Sequence, residues 1–363
     1  LQDKVNRNFS VLIPDGESPF AFHVLTCLAQ SGRFDIHLLS RRPDAMTKYS
    51  RAKKSFHVIS AGQDYLEYIK EFCSRIHVDL ILPVDWSAIL YFAERQQPTK
   101  EIAGLCLMDN SQNLRSVSDK GSLANFLHKN NLPHPLSITN LKEFNEIIHE
   151  FPMPVLVKPR IAGDGEGISR YEKRGDVLQL VEDHPSFFDE YLIQEYMDGH
   201  DIDCSVLCRG GVILAHTIQK TLYAHAELYK PAEGIEFVHD VEVFEIAARL
   251  MESLRWTGIA HVDMRRRASN SRVEIIEINP RFWGSVQGSL LAGVNFPQLV
   301  CQASKEQTFP MPNYHDSKYM SGFSILKRIM RNQPVTRLLG ETNLWMMMRD
   351  PLPNLMKLIG RVK

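Results

Sequence analysis

Short apolar runs alternate with helical periodicities through the first third of the chain. The runs 9–14 (FSVLIP), 34–40 (FDIHLLS), 56–59 (FHVI) and 79–84 (DLILPV) have strand length. Between the first two, Phe22, Leu25 and Leu28 recur on one helical face, and residues 65–76 read as a second helix. Apolar strands separated by helices predict right-handed βαβ units and a parallel sheet, so the first 112 residues are expected to form a Rossmann-like domain. Its first strand-to-helix turn holds one glycine, Gly16, rather than G-x-G-x-x-G, and a dinucleotide site there has little support.

The pattern then changes. Residues 118–130 form the next predicted helix, capped by Ser118 or Asp119 and stopped by Pro133-His134-Pro135. Stretches 155–158, 167–171 and 191–195 are strand-like, and 205–220 reads as a hairpin turning at Arg209-Gly210-Gly211. Val241, Phe244, Ala248, Met251 and Leu254 give 240–255 an apolar helical face. A second antiparallel pair is expected from 259–266 and 273–279, joined through polar 267–272. The expected fold class is therefore α/β followed by α+β.

Charge and composition narrow the function. Lys plus Arg number 42 and Asp plus Glu 43, a net charge of −1, so no positive surplus recommends nucleic acid as a partner. No apolar run approaches the roughly 18 residues that span a bilayer, so no membrane partner is expected. Six cysteines (Cys27, Cys73, Cys106, Cys204, Cys208, Cys301) contain no C-x-x-C pair and read as buried small side chains rather than a zinc site. With no basic stretch leading into an apolar run at the start, the cytoplasm is the expected compartment.

Three stretches carry candidate chemistry. In 273–285 (VEIIEINPRFWGS), the two-residue strand period puts Glu277 and Asn279 on one face and Ile276 and Ile278 on the other. Pro280 ends the ladder, and Arg281 can reach the same neighbourhood. Asp263 alternates against Val262 and Met264, and the hairpin would bring it beside Glu277. Hard oxygen ligands of this kind suit Mg²⁺. A solvated polar strand face fits the alternation equally. In 153–169, Lys158 ends a buried apolar strand, where an ammonium is costly unless it meets an anion. Gly163, Gly165 and Gly167 follow in a loop able to close backbone N–H groups over phosphates, or to serve as an ordinary turn. The third stretch, 192–199 (LIQEYMDG), runs from a strand into an Asp-Gly turn before Asp201.

Taken in order, Asp119-Lys120, Lys158 with its glycine loop, Gln194-Glu195, Asp263 and Glu277-x-Asn279-Pro280-Arg281 resemble the ATP-grasp superfamily over residues 114–300. The resemblance implies residues 113–190 as a small lobe with the glycine lid, 191–309 as a large lobe with the metal site, and 310–363 as a helical extension. It implies ATP and Mg²⁺ as cofactors, two ions, with Mn²⁺ as a substitute. By the same resemblance, Lys120 and Lys158 would contact nucleotide phosphates and Gly163, Gly165 and Gly167 would cover them. Gln194 would accept from the adenine amino group, with the Glu195 and Met197 backbones on the ring edge. Asp201 would hold the ribose. Asp263, Glu277 and Asn279 would ligate metal, Arg281 would stabilise the transferred phosphoryl group, and Gly284 and Ser285 would receive an anionic substrate group. Asp164 and Glu166 depart from the small neutral residues usual in such lids, so the lid's phosphate contacts would come from its backbone or from compensation by Arg160.

The implied reaction is phosphorylation of a carboxylate by ATP, followed by attack of an amine on the acylphosphate. An amino-acid-like or peptide-like substrate is expected, with a homodimer as an admissible assembly. A carboxyphosphate route resembling carbamoyl-phosphate synthesis, a small-molecule kinase and a nucleotide sensor are the alternatives. Specificity is expected from 217–239, with Lys220, His225, Lys230 and His239 as anion-binding candidates, from the N-terminal domain, and from residues beyond Gly284.

Overall fold

The computed structural model describes residues 7–60, 62–163, 165–225, 227, 229–332 and 341–360. The lid residue Asp164 lies outside the described residues.

Strands β1 (Phe9–Ile13), β2 (Phe34–Ser40), β3 (Ser55–Val58), β4 (Leu80–Ile81) and β5 (Gly104–Leu105) form a sheet in the order β3-β2-β1-β4-β5. Every pairing in it is parallel, as apolar strands fed by helices require. Helices Tyr65–Arg75 and Trp86–Ala93 start at Asp64 and Asp85, whose carboxylates accept backbone N–H bonds at the helix ends. The strand order reverses between β1 and β4, and there Asp15 accepts from the N–H groups of Val84 and Asp85. Gly16 is explained by packing: a Cβ on it would stand 2.9 Å from the Leu39 carbonyl oxygen.

The next strands, β6 (Ser137–Ile138), β7 (Val155–Pro159), β8 (Ser169–Tyr171) and β9 (Tyr191–Glu195), make an antiparallel sheet in the order β6-β9-β7-β8. Phe144, Val155, Val157, Val177, Val181 and Ile193 form its core. This corrects the boundary expected at 190, because β9 lies between β6 and β7 in the small sheet. The tertiary pairing of 191–195 with 155–159 is invisible to a linear division.

The large lobe is built on β10 (Gly199–Arg209), β11 (Val212–Tyr223), β12 (Gly234–Val238), β13 (Gly258–Arg267), β14 (Val273–Asn279) and β15 (Ser317–Met320). They run antiparallel in the order β14-β13-β10-β11-β12-β15. Helix Val241–Leu254, capped by Asp240, buries Val243, Ala247, Leu250 and Met251 against Cys204, Val206, Val262 and Met264. A second correction falls here. The segment from 310 is not purely helical, since β15 extends the sheet through β12 before helices Gly322–Met330, Leu344–Arg349 and Pro351–Leu358. Among the described residues no helix is long and apolar enough to cross a membrane. All six cysteines are unpaired, and five are buried.

Candidate active site

Asp119 ends one helix and caps the next, accepting from the Ser122 N–H at 2.9 Å, so Lys120 becomes the first residue of helix Lys120–Lys129. From there Lys120 Nζ reaches Glu277 Oε2 of the large lobe at 3.2 Å and donates to the Ala162 carbonyl oxygen of the glycine loop at 2.5 Å. Three parts of the chain far apart in sequence thus meet at one ammonium.

On the large sheet, Asp263 pairs in register with Glu277, as the hairpin length predicts. The neighbouring ladder slips there, because Met264 pairs with Ile275 and Ile276 has no cross-strand partner. The bulge changes which isoleucines enter the core. Ile275 and Ile278 are buried, whereas Ile276 is only half-buried, so the expected Ile276–Ile278 pairing on one face does not form. Glu277 and Asn279 still share the polar face. Asn279 Nδ2 donates to Asp263 Oδ2 at 3.0 Å and to Glu277 Oε1 at 3.1 Å. The amide N–H groups therefore occupy the place between two carboxylates where a cation fits, and rotating the amide presents its oxygen instead. The donor set of two carboxylates and an amide oxygen fits Mg²⁺.

Electrostatics point the same way. Burial raises the Asp263 carboxyl well above the ordinary range, with Glu277 and Asp203 adding repulsion and His261 opposing. Burial would raise Glu277 as well, but the Lys120 ammonium and hydrogen bonds from Asp263 and Asn279 hold it below the usual carboxylate range. Lys158 also feels the Glu277 charge, so both lysines border this acidic patch.

Lys158 projects from β7 at 6% exposure and donates to Gln194 Oε1 at 2.6 Å. Burial pushes its ammonium down to about 8. Gln194 also donates to Ser137 Oγ at 3.0 Å, so its side chain already has partners on both atoms and only part of its acceptor capacity remains for an adenine. The backbone N–H of Glu195 is bonded to the Leu136 carbonyl oxygen at 2.9 Å, and its carboxylate pairs with Arg267 at 2.8 Å. Met197 is buried. Asp201 forms an exposed pair with Arg265 at 2.7 Å.

In the lid, Gly165 has φ +71°, and a Cβ there would come within 2.0 Å of the Tyr229 carbonyl oxygen. Gly167 also has positive φ, while Gly163 has open space around it. Arg160 pairs with Asp119 at 3.0 Å and donates to the Phe188 carbonyl oxygen. Arg281 stacks over the Phe20 ring at 4.5 Å, beside the N-terminal domain. Gly284 is exposed. Ser285 donates to Gln219 Oε1 at 2.7 Å ahead of helix Val286–Ala292. Of the specificity candidates, Lys220 pairs with Glu236 at 3.1 Å, and His239 stacks on Tyr314. His225 Nδ1 accepts from the Glu227 N–H.

Sequence reasoning passed over Asp203 and His261. His261 lies beside Asp263 on the same strand face, with Nε2 at 3.1 Å from Asp263 Oδ1, and Asp203 Oδ2 is 3.9 Å from the same nitrogen. The two-residue period from Asp263 back to His261, and from Asp201 on to Asp203 and Ser205, is the signal that would have found them.

Lys120, the glycine loop and the acidic face bearing Asp263 and Glu277 thus meet between the small and large sheets. Residues 187–322 match the family model described as ATP-grasp in the biosynthetic pathway with Ter operon. The chain therefore carries an ATP-grasp domain. It is 30% identical over 186 residues to D-alanine–D-alanine ligase A of Mesorhizobium japonicum, covering 45% of this chain and 51% of that protein. The chain thus spans about half the length of the curated relatives it matches. Its fold is similar to the biotin carboxylase domain of Hydrogenobacter thermophilus 2-oxoglutarate carboxylase, solved with MgADP and bicarbonate. That likeness has TM-score 0.67 and 12% identity, over 87% of this chain and 74% of that one. The L-amino acid ligase of Bacillus licheniformis is similar at TM-score 0.60 and 15% identity, over 85% of this chain and 75% of that one.

Proposed function

We propose that this chain is an ATP-dependent ligase that joins a carboxylate to an amine through an acylphosphate, acting on an amino-acid-like or peptide-like substrate. The observation that carries the reading is the Lys120–Glu277 pair at 3.2 Å, which brings the phosphate side of the small lobe against the acidic face of the large one. Lys120 and Lys158 bind the nucleotide phosphates, and the loop bearing Gly163, Gly165 and Gly167 covers them. Asp201 takes the ribose, while the Glu195 carbonyl, Met197 and the free capacity of Gln194 meet the adenine. Asp263, Glu277 and Asn279 hold Mg²⁺, which when bound neutralises charge on the β- and γ-phosphates.

A substrate carboxylate oxygen attacks the γ-phosphorus, the bond to the ADP oxygen breaks, and Arg281 sits where charge develops on the phosphoryl group. The amine then attacks the acyl carbon, phosphate leaves, and the nitrogen loses a proton. A closed lid keeps water from the acylphosphate. Gly284 and Ser285 are assigned to the substrate's anionic group, with Ser285 held by Gln219. Ligase names among the relatives, D-alanine–D-alanine ligase and L-amino acid ligase, support the substrate class. A carboxyphosphate route is the second reading, favoured by the likeness to a biotin carboxylase domain. A reducing cytoplasm belongs to the same proposal, the unpaired cysteines being its support, and a homodimer is the proposed assembly.

The test is ADP release from MgATP with pools of amino acids, dipeptides and small carboxylates, with and without bicarbonate. Stimulation by a carboxylate–amine pair without bicarbonate supports the ligase, and Glu277→Ala is expected to lower that turnover at least about 100-fold. Strict dependence on bicarbonate moves the assignment to the second reading. Tight MgATP binding with no stimulation by any pool overturns both.

A further inference from the structure

We propose that Asp203, His261 and Asp263 form a further cation subsite with a nitrogen ligand, sharing Asp263 with the proposed Mg²⁺ site and suited to Mn²⁺ or another first-row transition ion. It goes beyond the ligase reading because it needs no nucleotide to assemble.

The three side chains rise from neighbouring strands β10 and β13, on the face that carries Glu277 and Asn279. His261 Nε2 stands 3.1 Å from Asp263 Oδ1 and 3.9 Å from Asp203 Oδ2. Around a six-coordinate ion with bonds of about 2.1 Å, ligand atoms lie about 3.0 Å apart when adjacent and about 4.2 Å apart when opposite. The His261–Asp263 separation matches the adjacent spacing, and the His261–Asp203 separation lies between the two, so Asp203 has to shift to complete the shell. All three candidate ligand atoms lie within 4.8 Å of one another.

The imidazole is also held in the orientation a ligand needs. Its Nδ1 lies 2.8 Å from Ser205 Oγ, and its ring stacks on Trp283 at 5.6 Å with planes 13° apart. A proton on Nδ1 directed to Ser205 leaves the Nε2 lone pair aimed between the two carboxylates. Asp203 is steadied in turn by Gln219 Nε2 at 3.3 Å and the Met264 N–H at 3.4 Å. Each candidate ligand other than the shared Asp263 thus has an outer partner that fixes it, as metal sites commonly show.

Two carboxylates, Asp203 and Asp263, face one imidazole, while Lys120 is engaged by Glu277 at 3.2 Å. Imidazole nitrogen added to carboxylate oxygen moves preference away from Mg²⁺, which favours all-oxygen shells, toward transition ions. The rival arrangement is an imidazolium clamped between two carboxylates with no ion.

Manganese separates the two. The full chain, free of nucleotide, is titrated with Mn²⁺ and followed by electron paramagnetic resonance, with pulsed measurement of ¹⁴N coupling. The expected result is a bound Mn²⁺ with directly coordinated ¹⁴N, absent in His261→Asn. In Asp203→Asn, the expected result is retained ¹⁴N coupling with Mn²⁺ affinity lowered about tenfold. Bound Mn²⁺ with no ¹⁴N coupling, coupling that survives His261→Asn, or no Mn²⁺ binding overturns the subsite. If His261→Asn fails to fold, the Asp203→Asn affinity decides, and an unchanged value overturns the proposal. Calorimetry with MgATP on the same wild-type preparation keeps the two readings apart. Tight nucleotide binding without a nitrogen-coordinated ion removes only the subsite, whereas a nitrogen-coordinated ion without nucleotide binding removes only the ligase.

Discussion

Lys158 carries a desolvation cost that, on the proposed function, a bound phosphate would offset. Buried at the end of β7 with Gln194 as its hydrogen-bond partner, its ammonium is pushed down to about 8 from an ordinary value of 10.5. Between those two values the unfolded chain binds the proton that the folded chain has released. Stability therefore rises with pH through that window, and the full cost is present below about 8. Replacing Lys158 with Met is expected to stabilise the nucleotide-free protein by about 2 kcal/mol, the desolvation cost less one lost hydrogen bond. The same change should abolish tight MgATP binding. In the unmodified protein, affinity should fall as pH rises through about 8, because phosphate recognition needs the charged form. Chemical denaturation and calorimetry across pH 7 to 9.5 check both. A Lys158→Met protein that is less stable, or a flat affinity profile, would count against the assignment.

At the scale of elements, the lid is constrained by contact as well as by conformation. Gly165 is at positive φ with the Tyr229 carbonyl oxygen 2.0 Å from any added Cβ, so the loop rests on the segment that follows β11. Gly165→Ala must displace one of the two segments. Since the loop lies outside the buried cores, the expected outcome is a loss of roughly tenfold or more in nucleotide affinity with the melting temperature lowered by less than about 4 °C. The polar stripe across the large sheet is also an element-scale feature. Glu277 and Asn279 on β14, His261 and Asp263 on β13, Asp203 on β10 and Gln219 on β11 share one face because the strand period repeats on each strand. Further along that face, Leu207, Ala215 and Ile259 turn apolar and join a core with Val286 and Phe282.

Across the whole molecule, the N-terminal sheet and the large sheet share an apolar core, in which Val11, Leu38 and Leu82 cluster with Leu207, Phe237 and Phe282, and polar contacts add to it. The loop after β14 meets the N-terminal domain through the Phe282 N–H to the Val84 carbonyl oxygen at 3.3 Å and through Arg281 over Phe20. The C-terminal helices close the other side. Asp350 is buried and accepts from Ser50 Oγ and the Arg51 N–H, while Asn343 donates to Gln287, which donates to Thr26. Asp350→Ala leaves those donors buried without their acceptor, and a stability loss of about 2–3 kcal/mol is expected. Equilibrium urea unfolding would measure it. A change under about 0.5 kcal/mol would mean the C-terminal helices do not brace the N-terminal domain.

What the sequence by itself determined is local. Strand and helix periods placed Lys158, Gln194, Glu277 and Asn279 on the right elements, Asp119 supplied the cap that presents Lys120, and the 267–272 connection set Asp263 against Glu277. Periodicity, capping and hairpin length act over a few residues, so they are legible along the chain. Only the tertiary structure decided which strands lie side by side. It moved 191–195 into the small sheet, added 317–320 to the large one, inserted the bulge at Ile276 and set Asp203 and His261 beside the acidic face. The packing of distant segments onto a shared core chooses those neighbours, and no local pattern encodes that choice.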